Sequence, residues 1–244
     1  LGIEIKQGTR RLGIISELSV TRLSCLAECP FKFYLKNICK IELDPSGVRK
    51  SFSEIDEGED YFFSSKERGT RLHALMSNLF TGKSLVENLT FAEKNSIEWA
   101  YEMGKSFLNT HEIVSEKLIK FSLFGQMISG TPDLVFINKE DSVVVWDFKT
   151  GKRDELNEAN YWLQLFCYGY AYAQKMQLSQ EGSVELALIY LDEKLPVSKK
   201  FSVKEITQLL FQEWCKTESL NQVNPLHCSK CDYQKICKKG SLLS

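Results

Sequence analysis

Near the C-terminus the chain carries HCSKCDYQKIC, where Cys228, Cys231 and Cys237 form a C-x2-C-x5-C pattern. Thiolates at this spacing suit a zinc ion or an iron–sulfur cluster, and either normally takes four ligands. No second C-x2-C pair exists to complete a zinc ribbon. The fourth ligand must therefore come from far away in the chain, so the fold has to bring two remote segments together. Cys29, in ECPFKFYL, is the first choice, and Cys25 lies one helical turn before it. The plain alternative is a set of buried, reduced thiols. That reading suits Cys39, Cys167 and Cys215; Cys167 sits in the apolar run WLQLFCYGY, where a small hydrophobe packs well.

Eight cysteines without a secretion signal favour thiols or metal ligands over disulfides, which predicts a reducing, cytoplasmic setting. The start, LGIEIKQGTRRLGII, has neither the apolar core nor the cleavage site of a signal peptide. It also lacks an initiator Met, so the chain is expected to be a piece of a longer protein. No apolar run approaches the ~20 residues of a membrane helix, and no membrane partner is expected. Lys plus Arg number 31 against 32 Asp plus Glu, a net charge of −1, so any basic surface must come from local clustering. Lys32, Lys36 and Lys40 form one such group, and Lys230, Lys235, Lys238 and Lys239 another beside the cysteines. Joined, they would make a basic lobe suited to DNA phosphates; ordinary surface lysines are the alternative.

The hydrophobic pattern predicts a helix over 19–38, capped by Ser19 and kinked or restarted at Pro30. An acidic, irregular connection over 42–65 precedes helices at 67–81 and 90–112. A strand over 118–128 is followed by a hairpin, TPDLVFI and SVVVWDF, joined by NKED. A long aromatic helix at 158–177, strands at 184–191 and 198–203, and an amphipathic helix at 203–217 complete an α/β chain with a mixed sheet. FTGKSL at 80–85 ends like a phosphate-binding loop, but Ser77 stands where the first Gly belongs and the segment follows a helix. It is rejected, and with it an ATPase.

Asp133 begins the first hairpin strand, while Asp147 and Lys149 end the second. Antiparallel pairing brings these ends together, and Asp147 and Lys149, two apart, share a face. Two carboxylates and the Phe148 carbonyl supply hard oxygen ligands for Mg2+ or Mn2+, and Lys149 can hold and polarise an attacking water. These are parts for metal-assisted phosphodiester hydrolysis. A surface salt-bridge cluster at a hairpin end would use the same residues. His73 lies on an amphipathic helix, on the rough face of Gly69 and Ser77. Gln164 and Tyr168 share a face of the aromatic helix. A structural histidine and a core helix with satisfied polar tips are the bland counterparts.

Taken in order, Gly69 and His73, Gly130 and Asp133, Asp147 and Lys149, then Gln164 and Tyr168 resemble the PD-(D/E)xK nuclease superfamily and its RecB-like branch. Cys29 in a C-P-aromatic context, with Cys228, Cys231, Cys237 and Tyr233 behind the core, resembles the iron–sulfur branch, which includes the AddB helicase–nuclease subunit and the CRISPR-associated adaptation nucleases. The resemblance spans about residues 19–237. It implies a restriction-endonuclease-like domain over 1–244, with a central mixed sheet flanked by helices and a cluster lobe built from about 19–40 and 224–240. It implies metal ligation by His73, Asp133, Asp147 and the Phe148 carbonyl, action of Lys149 on the water, and positioning of DNA or Lys149 by Gln164 and Tyr168. It implies a 4Fe-4S cluster on Cys29, Cys228, Cys231 and Cys237. The activity implied is that of a Mg2+- or Mn2+-dependent deoxyribonuclease, an exonuclease on single-stranded or frayed ends, working with a helicase subunit or domain in recombination and repair. An inert DNA-binding module of the same fold and a zinc-stapled scaffold for protein partners are the alternatives.

Overall fold

The computed structural model describes residues 16–41, 65–83, 89–138, 142–217, 220, 222–234 and 237. Strand β1 (Glu17–Ser19) runs straight into helix α1 (Val20–Glu28). Ser19 caps that helix, its side chain accepting from the Arg22 N–H at 3.1 Å. The single helix expected over 19–38 is three pieces. Cys29 is extended (φ −158°), Pro30 restarts the chain as α2 (Pro30–Phe33), and a π turn follows over Tyr34–Ile38. Pro30 fits the first position of a new helix, where its missing N–H would have no partner anyway.

Helix α3 (Ser65–Phe80) packs on α4 (Phe91–Gly104), whose start is a capping box of Thr90 and Glu93. The helix expected to reach residue 112 stops at Gly104. A Cβ there would lie 2.6 Å from the Phe80 ring, so only glycine admits this approach. The chain then tightens into a 3-10 turn (Lys105–Asn109) and enters β2 (Glu112–Ser115), a strand too short to show alternation in the sequence.

The expected strand over 118–128 is a hairpin, β3 (Ile119–Leu123) and β4 (Gln126–Gly130). Phe124 and Gly125 turn it with φ of 48° and 83°. Two successive positive φ values match the right-handed strand twist, but Phe-Gly lacks the usual Asn-Gly signature. Then come β5 (Leu134–Asn138), β6 (Ser142–Lys149), α5 (Glu155–Lys175), β7 (Ser183–Tyr190), β8 (Leu195–Ser202) and α6 (Val203–Cys215).

Five strands form one mixed sheet in the order β2-β5-β6-β7-β8, with only β6 and β7 parallel; β1-β4-β3 form a smaller sheet. This is the mixed α/β architecture of a restriction-endonuclease-like fold. Central β6 is buried on both faces, which explains its unbroken apolar run. Val143 and Val145 face Leu163, Cys167 and the α1 and α6 side chains. Val144, Trp146 and Phe148 face Leu72, Met76, Phe80 and Ile97 of α3 and α4. Each such fully buried side chain stabilises the fold by roughly 1.5–3 kcal/mol.

The N- and C-terminal segments meet in a third small core of Cys29, Phe31, Leu35, Tyr233 and Cys237. The Phe31 N–H donates to the Gln222 carbonyl at 3.0 Å, and the Tyr233 hydroxyl to the Ile41 carbonyl at 2.9 Å. The acidic connection over 42–64 and Lys235, Lys238 and Lys239 lie outside the described residues. Of the remaining basic group, Lys32 pairs with Glu28 at 2.8 Å, while Lys36 and Lys40 are exposed. No helix among the described residues is long and apolar enough to cross a membrane.

Candidate active site

The last paired rung of the β5–β6 hairpin joins Leu134 to Trp146. Asp133 and Asp147 therefore face each other just past the hairpin's paired region. The Asp133 carboxylate turns across this end: its Oδ2 accepts the Phe148 N–H at 2.7 Å. Within a strand, the N–H and C=O of one residue point the same way. The Phe148 carbonyl is thus directed to the Asp133 side. Lys149 turns the other way, its carbonyl accepting the Leu191 N–H at 2.9 Å.

Helix α3 approaches from the opposite face of the sheet. His73 Nδ1 lies 3.2 Å from Asp133 Oδ1. Gly69, one turn earlier, is small for a reason: a Cβ there would come within 3.1 Å of the Thr150 hydroxyl. Arg68 grips Asp192 with two nitrogens at 2.7 and 2.9 Å, and the same carboxylate accepts the Gly151 N–H at 2.6 Å. Glu93, 3% exposed, accepts from Arg68 and Arg71. This network ties α3, α4 and the loop after β6 into one block. Sequence reasoning missed it because its members stand up to 124 residues apart.

Asp147 is 6% exposed. Lys149 Nζ stands 2.5 Å from its Oδ2 as an ion pair. Burial pushes the Asp147 carboxyl up to about 6; Lys149 opposes the shift and Asp133 adds to it. Burial works against the charged forms of Lys149 and His73. The carboxylates outweigh it in both, Asp147 first for Lys149 and Asp133 first for His73, and both pKa values are raised.

Helix α5 closes the other side. Tyr168 is nine-tenths buried or more and packs on Gly130, where a Cβ would lie 2.7 Å from its ring. Its hydroxyl is held by the Thr131 backbone, and burial raises its pKa. Gln164 is half-buried on the same helical face. One turn earlier on that face, the Tyr161 ring lies under Lys149 Nζ at 4.1 Å. Tyr161 also escaped the sequence reading, since only the register of α5 on β6 shows its contact.

A second constellation lies at the joined termini. Cys29, Cys228, Cys231 and Cys237 line one pocket, together with Lys32 and His227. Cys25 does not line it and packs against the main core. Burial raises the thiol pKa values of Cys228 and Cys231, and neighbouring Cys29 and Cys237 add to the shift.

The family model of the PD-(D/E)XK nuclease superfamily matches residues 17–238. The chain belongs to this superfamily. The crystal structure of SSO0001 aligns at 17% identity over 97% of this chain and 89% of its own, with a TM-score of 0.47. A "putative exonuclease" from Eubacterium rectale aligns at 11% identity over 91% and 88%, with a TM-score of 0.50. The likeness to the second is one of fold. A comparison with curated proteins found no match.

Of the expected residues, Asp133, Asp147, Lys149 and the Phe148 carbonyl from the hairpin and His73 from α3 lie at one end of the sheet, Tyr168 of α5 packs beside them, and Gln164 shares the helical face of Tyr168. Among the described residues, no group of three or more His, Cys, Asp or Glu is drawn together to hold a metal ion. The side chains are instead paired internally, His73 with Asp133 and Lys149 with Asp147. The donor set is still of the hard-oxygen kind that suits a divalent cation, since the Asp133 and Asp147 carboxylates and the Phe148 carbonyl lie at one end of the sheet. The four thiols line one pocket and are soft donors by chemistry, but among the described residues they too are not drawn together as a metal-holding group.

Proposed function

We propose that this PD-(D/E)XK nuclease is a Mg2+- or Mn2+-dependent deoxyribonuclease acting on single-stranded or frayed DNA ends, with a structural 4Fe-4S cluster on Cys29, Cys228, Cys231 and Cys237. The buried Asp147 carboxylate beside Asp133 and Lys149 carries this reading. A carboxylate so desolvated is costly unless positive charge compensates it; Lys149 supplies one charge, while Asp133 beside it adds a second negative group. His73, Asp133, Asp147 and the Phe148 carbonyl would hold the ion, which supplies charge stabilisation for the phosphate. Lys149 holds the attacking water by hydrogen bonding and sets its direction. Asp147 orients the Lys149 ammonium through their ion pair. Gln164 and Tyr168 border the approach of the DNA backbone.

The chain is proposed to work within a recombination or repair system, beside a helicase that feeds it unwound strand. A net charge of −1 offers little long-range steering toward DNA, and a motor raises the local concentration of strand at the site. Weak, salt-sensitive cleavage by this chain alone is expected. The test compares initial rates on closed circular duplex, linear duplex and linear single strands, at two salt concentrations and with EDTA as control. Equal, salt-insensitive rates on all three would sink the end-dependent reading. No cleavage with either metal would leave the inert DNA-binding alternative.

A further inference from the structure

The Lys149 ammonium stands between a carboxylate and an aromatic ring. Asp147 Oδ2 stands 2.5 Å from it on the same strand, and the Tyr161 ring centroid stands 4.1 Å from it on α5. The face of a tyrosine ring carries negative quadrupole charge and attracts a cation within about 6 Å. Unlike a second carboxylate, it takes none of the three ammonium N–H donors along a directed hydrogen bond. The lysine side chain is 17% exposed, so part of the ammonium still reaches solvent. Its backbone is fixed as well, by the Leu191 N–H and by full parallel pairing of β6 with β7.

Tyr161 precedes Gln164 by three residues and Tyr168 by seven, so the three share one face of α5. Tyr168 anchors that face to the sheet end through Gly130 and Thr131. The Tyr161 ring is therefore carried on a buttressed helix, and its distance from Lys149 is set by packing. We propose that Tyr161 is the positioning residue for Lys149: its ring face holds the ammonium in place beside Asp147 and leaves N–H donors free for the attacking water. This rests on the role given to Lys149 above. An aliphatic residue of similar bulk would fill the space but lose the hold on the charge.

The test replaces Tyr161 with Phe, with phenylalanines bearing one, two or three ring fluorines, and with Leu, all in the full chain. Fluorine withdraws charge from the ring face while nearly preserving shape. The expected result is a near wild-type kcat for Phe, a stepwise fall with each fluorine, and about a tenfold loss for Leu, with KM for single-stranded DNA within twofold. A kcat that stays flat across the fluorinated series overturns the proposal, because a purely structural ring would give that result. A second arm needs no cleavage. In protein carrying 13C-labelled lysine, the Lys149 Hε signals should show an upfield ring-current shift that persists in Tyr161→Phe and vanishes in Tyr161→Leu. Absence of that shift in the wild type also overturns the proposal. Lys149→Ala separates the two layers: cleavage at the wild-type rate refutes the role of Lys149 itself, and with it a positioning role for Tyr161 in catalysis.

Discussion

Asp133 Oδ2 accepts the Phe148 N–H at 2.7 Å, so one carboxylate both closes the hairpin end and faces His73. Its structural and chemical roles can be separated. In Asp133→Asn the amide oxygen can still accept the Phe148 N–H, but the negative charge is gone. Cleavage should fall by about a hundred- to a thousandfold, on the scale of losing one strong electrostatic contributor, with a melting temperature close to wild type. Asp133→Ala should also lose stability, by roughly 1–3 kcal/mol for the unsatisfied N–H. Parallel melts and rate assays on both variants check this; full activity in Asp133→Asn would remove Asp133 from the site.

Burial pushes the Asp147 carboxyl up to about 6, against an ordinary 3.8. Between these values the native state binds the proton more tightly than the unfolded chain does. This group's contribution to stability is therefore fully present below about 3.8 and lost as pH rises through about 6. A divalent cation acts in the opposite sense, since it needs the ionised carboxylate. At a hundred times its Kd it would stabilise the fold by about 2.7 kcal/mol. Mn2+ should thus raise the melting temperature at pH 7.5 and have little effect at pH 5. An equal rise at both pH values would show that Asp147 is not a ligand.

Glu93 accepts from Arg71 at 2.5 Å and Arg68 at 3.3 Å on Oε1, while Oε2 meets the Thr90 N–H and hydroxyl, each at 3.0 Å. Removing it takes away both a helix cap and the carboxylate shared by two arginines. Breaking a buried charge pair from one side costs about 3–5 kcal/mol. Glu93→Ala should lower the melting temperature by roughly 10 °C for a domain of this size. Cleavage by the folded variant should fall as well, because α3 carries His73. Calorimetry measures the first effect, and rates taken well below the new melting point measure the second.

The cysteine lobe predicts unequal thiols. Cys231 lines the shared pocket and Cys25 does not. Cys231→Ser should bleach visible absorption in anaerobically purified protein and lower the melting temperature. Cys25→Ser should change neither. A crosslink between Cys29 and the C-terminal trio closes a loop of roughly 200 residues, worth about 5 kcal/mol by chain entropy alone. A colourless protein containing one equivalent of zinc would replace the cluster with a zinc staple.

The sequence by itself determined the elements that rest on local chemistry. The apolar runs of β5 and β6 marked a hairpin, Ser19 marked a helix start, and Pro30 marked its break. The order of Gly69, His73, Gly130, Asp133, Asp147, Lys149, Gln164 and Tyr168 was legible because strand and helix periods place such residues on common faces. Tertiary structure alone decided the rest. Whether residues 118–128 ran on or folded back depended on a Phe-Gly turn with two positive φ values. Strands β1 and β2, three and four residues long, are too short for periodicity and exist through their pairing with β4 and β5. Arg68 with Asp192, and Tyr161 with Lys149, meet only once α3 and α5 are docked on the sheet. The reason is common to all of them: a contact between distant segments depends on how whole elements pack, and that information is absent from any local window of sequence.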